Sequence, residues 1–321
     1  MRSLLVCQNG TFLRDQPLDA ISDYLEQPNT LLWLDITDPN EADAELLREE
    51  FGVHPLAIED TFNETHRPKI DRYADHYFMI FYAAQLSGTP PTVEVQALHL
   101  IVGRNYLVSV HRGAMRQVDE TLVRWQHPHG PLSNQVGALL YALLDTVVDD
   151  YFPVIDDLAE QIEDVQDQIF TAFREESIQT IFALKRELLA LRRVMAPQRD
   201  VMNVLLRREV PIFSSEDTVY LQDVYDHIVR VLESTENYRD LLGSALDSYL
   251  SLQSNRLNQI VKVLTITSII LMSDALIAGI YGMNFQFMPE LAWPFGYPFA
   301  LGMMVLVSGG LLLLFRRLKW L

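Results

Sequence analysis

Cysteine is almost missing from this chain, with Cys7 the single thiol in 321 residues. One cysteine excludes an intrachain disulfide and fits a reducing compartment. Positive charge is scarce as well: 25 Lys and Arg stand against 43 Asp and Glu, a formal net charge of −18. That deficit excludes the basic surface that nucleic-acid phosphates require, and it suits a protein that gathers cations. The sequence has no Gly-rich phosphate loop, no Cys/His metal cluster and no plausible nucleophilic triad, so an enzyme is not expected. Tandem repeats and low-complexity tracts are absent too. At the N-terminus, Leu4-Leu5-Val6-Cys7 gives way at once to Gln8-Asn9-Gly10. This apolar run is too short for a signal peptide, and the N-terminal part is expected to stay in the cytosol.

Long apolar runs are confined to residues 260–321, where two of them occur. One extends from about Ile260 to Ile280 and the other from about Gly296 to Phe315. Each is roughly 20 residues, the length a helix needs to cross a hydrocarbon core about 30 Å thick. Arg256 and Lys262 flank the first run, and Arg316, Arg317 and Lys319 follow the second. The loop between them carries no Lys or Arg and one acid, Glu290. The positive-inside rule then places both termini in the cytoplasm and the loop outside. Trp293, Tyr297 and Trp320 stand where interfacial aromatic belts are expected.

The preceding sequence divides in two. Residues 1–132 read as a cytosolic α/β domain. Leu31 to Ile36, Tyr77 to Tyr82, Ala97 to Val102 and Tyr106 to Val110 are strand-like, and Pro39-Asn40-Glu41 opens a helix to Phe51. Turns are expected at Ser87 to Pro91 and at Gly103-Arg104-Asn105, with a loop at Gln126 to Pro131. Residues 133–259 read as helical. One helix is expected from Ser133 to about Ala172, and another from Glu175 to about Arg208, interrupted and kinked at Pro197. After the break at Val210-Pro211, a stalk helix starts at Ser214 to Asp217 and meets no proline before Tyr281. At about 60 residues it would be about 90 Å long. Between Asn134 and Phe173 there is no basic residue and nine acids, among them Asp145, Asp149 and Asp150. Such a run reads as a solvated face or as a field that concentrates divalent cations.

Periodicity along the stalk points to a pore. Asp247, Ser251, Ser254, Asn258, Val261, Thr265, Ser268, Met272 and Ala275 recur at spacings of four and three, as coiled-coil seam positions do. The seam is mostly small or polar where an ordinary one holds Leu and Ile. One helical hairpin cannot enclose a hydrated path, so several copies must surround an axis with this seam inward. A helix dimer using small residues for close approach is the alternative.

At the outer end of the first run stands Tyr281-Gly282-Met283-Asn284-Phe285, followed by Phe287-Met288-Pro289-Glu290-Leu291. This arrangement resembles the CorA-type divalent-cation channels, whose signature is Gly-Met-Asn at that place. Asp145 to Phe152, Leu184 to Arg193, Asp223 to His227, Ser254 to Thr265, and Glu59-Asp60 with Arg67-Pro68-Lys69 resemble that family as well, so the likeness covers nearly the whole chain.

The resemblance implies an α+β cytosolic domain of αβα type, a long stalk helix and two C-terminal transmembrane helices, assembled as a funnel-shaped homopentamer in the inner (plasma) membrane. The implied function is passive, potential-driven uptake of Mg²⁺, with Co²⁺ and Ni²⁺ also carried. It also implies a selectivity filter of Gly282, Met283 and Asn284, in which a ring of amide oxygens holds the hydrated ion. The other reading of Asn284 is a left-handed helix cap.

On the seam, Asn258 and Thr265 would form polar rings. Val261, Leu264 and Met272 are candidate hydrophobic constrictions, with packing filler the other reading of Met272, and Asp247 would form a carboxylate ring at the cytosolic end. Asp223 matches one acid of the family's regulatory cation site. Its partner is expected just after Ala83-Ala84, where this chain has Gln85, Leu86 and Ser87 and no acid before Glu94. Ser273-Asp274 replaces the family's usual Pro-Leu inside the first span. Asp274 is expected to face between helices, either as a protonated or hydrogen-bonded carboxyl against Ser308 or backbone of the second span, or taking part in ion passage or proton coupling. Two rival functions are carried forward: a proton-coupled Zn²⁺ transporter of the same superfamily, and a non-conducting Mg²⁺ sensor held by a helical hairpin.

Overall fold

The computed structural model describes all residues except 64–65, 88–91, 127–134, 172–175, 208–211, 285, 287 and 321. It divides into two compact units, Met1–Ala245 and Leu246–Leu321.

In the first unit the strands are β1 (Arg2–Gln8), β2 (Thr11–Leu13), β3 (Thr30–Thr37), β4 (Lys69–Arg72), β5 (Tyr77–Ser87), β6 (Thr92–Val102) and β7 (Tyr106–His111). They form one seven-stranded sheet in the order β2-β1-β3-β7-β6-β5-β4. The β3–β7 pair is parallel and every other pair is antiparallel. Between the strands lie α1 (Ile21–Glu26), α2 (Glu41–Phe51) and α3 (Pro55–Thr61). After the sheet come α4 (Arg116–Gln126), α5 (Val136–Asp149), α6 (Tyr151–Thr171), α7 (Glu176–Leu205) and α8 (Ser215–Tyr281). Residues 215–245 of α8 belong to this unit and residues 246–281 to the second.

Alternation along the strands builds a core on each face of the sheet. Leu4, Val6, Leu32, Leu34, Ile36, Ile80, Ile101, Val108 and Val110 bury one face against Ile21 of α1, Leu47 and Phe51 of α2, and Ala57 and Ile58 of α3. On the other face the Trp33 ring meets Trp125 of α4 edge-on at 5.9 Å. There Gln198 of α7, fully buried, accepts the Tyr82 N–H at 2.9 Å, and Tyr151 Oη of α6 donates to the Tyr82 carbonyl at 2.8 Å. Helices on both faces make this an αβα sandwich.

The expected strands and the helix ending at Phe51 are present. Asn40 caps α2 with a full capping box, accepting from Ala42 N at 2.9 Å while its own N–H reaches Asp43 Oδ2 at 2.8 Å; Gly52 closes the helix at φ 60°. Such a cap contributes about 1 kcal/mol. Ser214 and Asp217 form the equivalent box at the start of α8.

The run Leu4 to Cys7 is the buried centre of β1. Two expectations need correction. The single helix expected after Ser133 is two, α5 and α6, separated at Asp150. Pro153 explains the break, because it has no N–H for the Asp149 carbonyl and its ring crowds that carbonyl. The interruption expected at Pro197 is not seen, since α7 runs on to Leu205 with Pro197 inside it. The turn at Ser87 to Pro91, most of the loop at Gln126 to Pro131, the Ser133 helix start and the Val210-Pro211 break lie wholly or largely outside the described residues.

The second unit holds residues 246–281 of α8, a short 3₁₀ turn Pro289–Ala292, and α9 (Gly296–Arg317). Both of its helices are long and apolar enough to cross a membrane, and their apolar windows are almost entirely unburied within the chain.

Candidate functional site

In the second unit, geometry follows from which face of α8 is covered. Ile266 is buried, and Ile270, Ser273, Asp274 and Ile277 are half-buried. These residues follow helical spacing on one side. The contact that joins this side to α9 is Ser308 Oγ, which donates to Asp274 at 3.0 Å to Oδ1 and 2.9 Å to Oδ2. Asp274 thus takes the hydrogen-bonded position between helices that its place on the helix predicts. Asp247, Ser251, Ser254, Asn258, Val261, Leu264, Ser268, Met272 and Ala275 are exposed, and Thr265 is half-buried. The polar seam is therefore left open by α9.

At its C-terminal end, α8 closes tightly. Gly282 N–H donates to the Ala278 carbonyl at 2.9 Å and Met283 N–H to that of Ile280 at 3.3 Å. A side chain at Gly282 would press to 3.1 Å from the Ala278 carbonyl oxygen. Gly282, Met283 and Asn284 are all exposed. Among the described residues, the non-glycine positions with left-handed backbone are Asn9, Asp15, Asn29, Asp38 and Lys319. Asn284 is not one of them, so it does not serve as a left-handed cap. Phe285 and Phe287 lie outside the described residues; Glu290 falls in the 3₁₀ turn. Beyond it, the Trp293 ring packs 5.8 Å from Phe299 on the first turn of α9.

In the first unit, α5 and α8 bring together a second group. Asp145, Asp149 and His227 each offer a ligand atom, all within 4.8 Å of one another. His227 Nδ1 lies 3.0 Å from Asp149, and its Nε2 lies 3.8 Å from Asp223. Arg124 Nη1 binds Asp145 at 2.9 Å. Burial raises the Asp145 carboxyl above its ordinary range and Asp149 adds to this, while Arg124 and His227 pull the other way.

The acidic run is thereby divided. Asp145, Asp149 and Asp150 have partners, Asp150 being held by Arg116 at 2.6 Å. Asp156, Glu160, Glu163, Asp164 and Asp167 on α6 form an exposed face. Spacing of i, i+4 puts Asp145 with Asp149 on one face of α5 and Asp223 with His227 on one face of α8, while the meeting of the two faces depends on how α5 packs against α8. Gln85 pairs with Glu94 across β5 and β6, so the first acid after Ala84 in sequence is the direct cross-strand neighbour of Gln85.

The family profile described as "CorA-like Mg2+ transporter protein" matches residues 28–317. The chain belongs to this family. It is 33% identical to the cobalt/magnesium transport protein CorA of Thermotoga maritima over 91% of this chain and 84% of that protein. It is 26% identical to the cobalt/magnesium transport protein CorA of Methanocaldococcus jannaschii, over 99% of this chain and 98% of that one. The complete structure of the CorA magnesium transporter from Methanocaldococcus jannaschii superposes with a TM-score of 0.82 at 23% identity, covering 99% of this chain and 98% of that chain. CorA membership accounts for the fold, an α+β unit, a long helix and two apolar C-terminal helices, and makes the protein a divalent metal ion transporter.

Proposed function

We propose that the chain is the protomer of a homopentameric channel that carries Mg²⁺, with Co²⁺ or Ni²⁺ as further cargo, passively into the cytoplasm across the plasma membrane. The observation that carries this reading is the seam: α9 covers another side of α8 and leaves the polar stripe from Asp247 to Ala275 open, and Asn284 beyond the helix end is exposed as well. Five copies with this stripe inward enclose a hydrated path.

Asn284, with Gly282 and Met283, forms the filter. Mg²⁺ sheds its water reluctantly, and neutral amide oxygens bind the hydrated ion without trapping it. Asn258 and Thr265 relay the hydrated ion, and Val261, Leu264 and Met272 close the path by dewetting. Asp247 draws cations at the cytosolic end, and Glu290 lies in the outer loop. Residues 1–132 and 133–259 form the cytosolic part and 260–321 the pore, with both termini cytoplasmic. A membrane potential supplies about 2.3 kcal/mol per charge per 100 mV, twice that for a dication. The Asp145, Asp149, His227 group, with Asp223 beside it, supports a regulatory cation site on the cytosolic side.

Flux into proteoliposomes under an imposed potential, with and without a pH gradient, separates this reading from its rivals. Potential-driven Mg²⁺ flux indifferent to the pH gradient supports the channel. Zn²⁺ flux that requires the proton gradient supports the coupled transporter, for which Asp274 is the one encouraging residue. Ion binding without flux supports the anchored sensor.

A further inference from the structure

Every Lys and Arg of the second unit (Arg256, Lys262, Arg316, Arg317 and Lys319) lies toward the end of the helix pair away from Asn284. In a chain with a net charge of −18 this is a local excess of positive charge. The acids of the same unit are Asp247, Asp274 and Glu290, with none from Ser248 to Ser273 and none after Glu290. Lys262, Arg316, Arg317 and Lys319 are exposed, and among the described residues none of the four pairs with an acid.

The fold gathers these cations at one level. Contact between Ser308 and Asp274 sets the register of α9 against α8. Measured from it, Ile266 on α8 and Phe315 on α9 both lie about 10–12 Å along their helices, and both are buried. Lys262 stands one turn before Ile266, on the side of α8 that α9 covers, and so near the height of the tail after Phe315.

That tail folds back on itself. Trp320 N–H donates to the Phe315 carbonyl at 2.9 Å and Lys319 N–H to that of Arg316 at 3.2 Å. Lys319 is left-handed at φ 57°, and the Trp320 ring stacks on Phe315 at 5.7 Å. These two backbone bonds with an apolar contact over them make a Schellman end, whose left-handed position glycine fills without strain. Here a lysine fills it. The turn holds the indole against the apolar end of α9, with three exposed cations within four residues of it. An indole of this kind suits the headgroup level of a bilayer, and cations there find their counter-charge in lipid phosphate.

We propose that Lys262, Arg316, Arg317 and Lys319, with Trp320, form a seat for the headgroup of an anionic phospholipid. The ammonium and guanidinium groups hold the phosphodiester, and the indole lies at the boundary of headgroup and acyl chain. The inference rests on the reading of α8 and α9 as membrane spans, and it holds whether or not the protein conducts.

The test places the full-length protein in phosphatidylcholine nanodiscs with phosphatidylglycerol added stepwise. The readouts are the melting temperature and the lipid retained in native mass spectra. Wild type is expected to retain phosphatidylglycerol over phosphatidylcholine and to melt at a higher, saturating temperature as it is added. Inorganic phosphate at equal concentration should change neither. Lys262→Gln, Arg316→Gln and Lys319→Gly should each weaken retention by about fivefold. Lys319→Gly separates charge from fold, because glycine keeps the helix end and removes the ammonium. Arg239→Gln, an exposed cation of the first unit, should retain the lipid as wild type does.

Equal retention of the two lipids by the wild type overturns the proposal, as does undiminished retention in all three variants. Melting temperatures lowered equally with and without phosphatidylglycerol overturn it as well, since the cations would then pair with acids of the protein such as the exposed face of α6. A protein that does not enter the bilayer at all overturns the span reading together with the seat.

Discussion

Asp145 illustrates what burial does to a carboxyl at the residue scale. Its side chain is 8% exposed, and Arg124 reaches it from a half-exposed position. Burial dominates and raises the carboxyl's proton affinity, Asp149 raises it further, and Arg124 and His227 offset part of the effect. The folded state therefore binds a proton over a pH range in which the unfolded chain has released it. By linkage, this contribution to stability is full below the ordinary carboxylate range and is lost as pH rises through the folded-state value. Thermal melting of Asp145→Asn across pH 3.5 to 7 should lack a downward slope that the wild type shows just above that range. Parallel profiles would mean that Asp145 is not titrating where its surroundings place it. The same residue shows how much of the site was legible in the sequence. Asp145, Asp149 and Asp223 were visible as acids at helical spacing. Their convergence on His227 was not, because it depends on α5 packing against α8, a contact that no local pattern encodes.

Packing between elements is as specific as the chemistry within them. At the start of α8, the Asp217 carboxylate accepts from Ser214 N at 2.7 Å and sits against α5 at Gly137. A Cβ at Gly137 would overlap that carboxylate. Gly137→Ala must push α5 away from the α8 cap, at a cost of about 1–3 kcal/mol as for other overpacked sites. Chemical denaturation of the full chain should find that loss, whereas wild-type stability would show that the contact yields freely.

Elements with strong local signals were the ones the sequence revealed. Strands β3, β5, β6 and β7 are runs of β-branched and aromatic residues, and α2 carries its own cap in Asn40 and Asp43. Short elements with weak patterns, β2, β4, α1 and α3, gain their stability from the sheet they cover and could not be read locally. In the hairpin the two apolar helices were legible, and Ser308 was one of the partners expected for Asp274. In the spans, polar side chains are so few that each must find another or a backbone group.

At the scale of the whole molecule, the chain leaves the two spans almost bare: Val261, Leu264, Leu271, Met272, Leu276, Val305, Leu306 and Leu313 are all well exposed. Lipid can cover the apolar side of such a surface, but it cannot hydrate the polar side at Thr265 and Ser268. Other copies of the chain, facing each other across water, can. Native mass measurement in mild detergent should therefore count five copies, and a stable monomer or dimer would contradict an axial pore built from this seam. The net charge of −18 fits a divalent-cation transporter, because an acidic surface raises the local concentration of divalent cations.

In the proposed channel Asn284 selects the ion. The most direct test is Mg²⁺ influx into proteoliposomes under a fixed potential, comparing the wild type with Asn284→Ala for Mg²⁺ and for a monovalent cation. Mg²⁺ flux is expected in the wild type, and in Asn284→Ala either its loss by at least tenfold or its replacement by unselective leak. Equal Mg²⁺ flux and equal selectivity in the two proteins would contradict selection by Asn284.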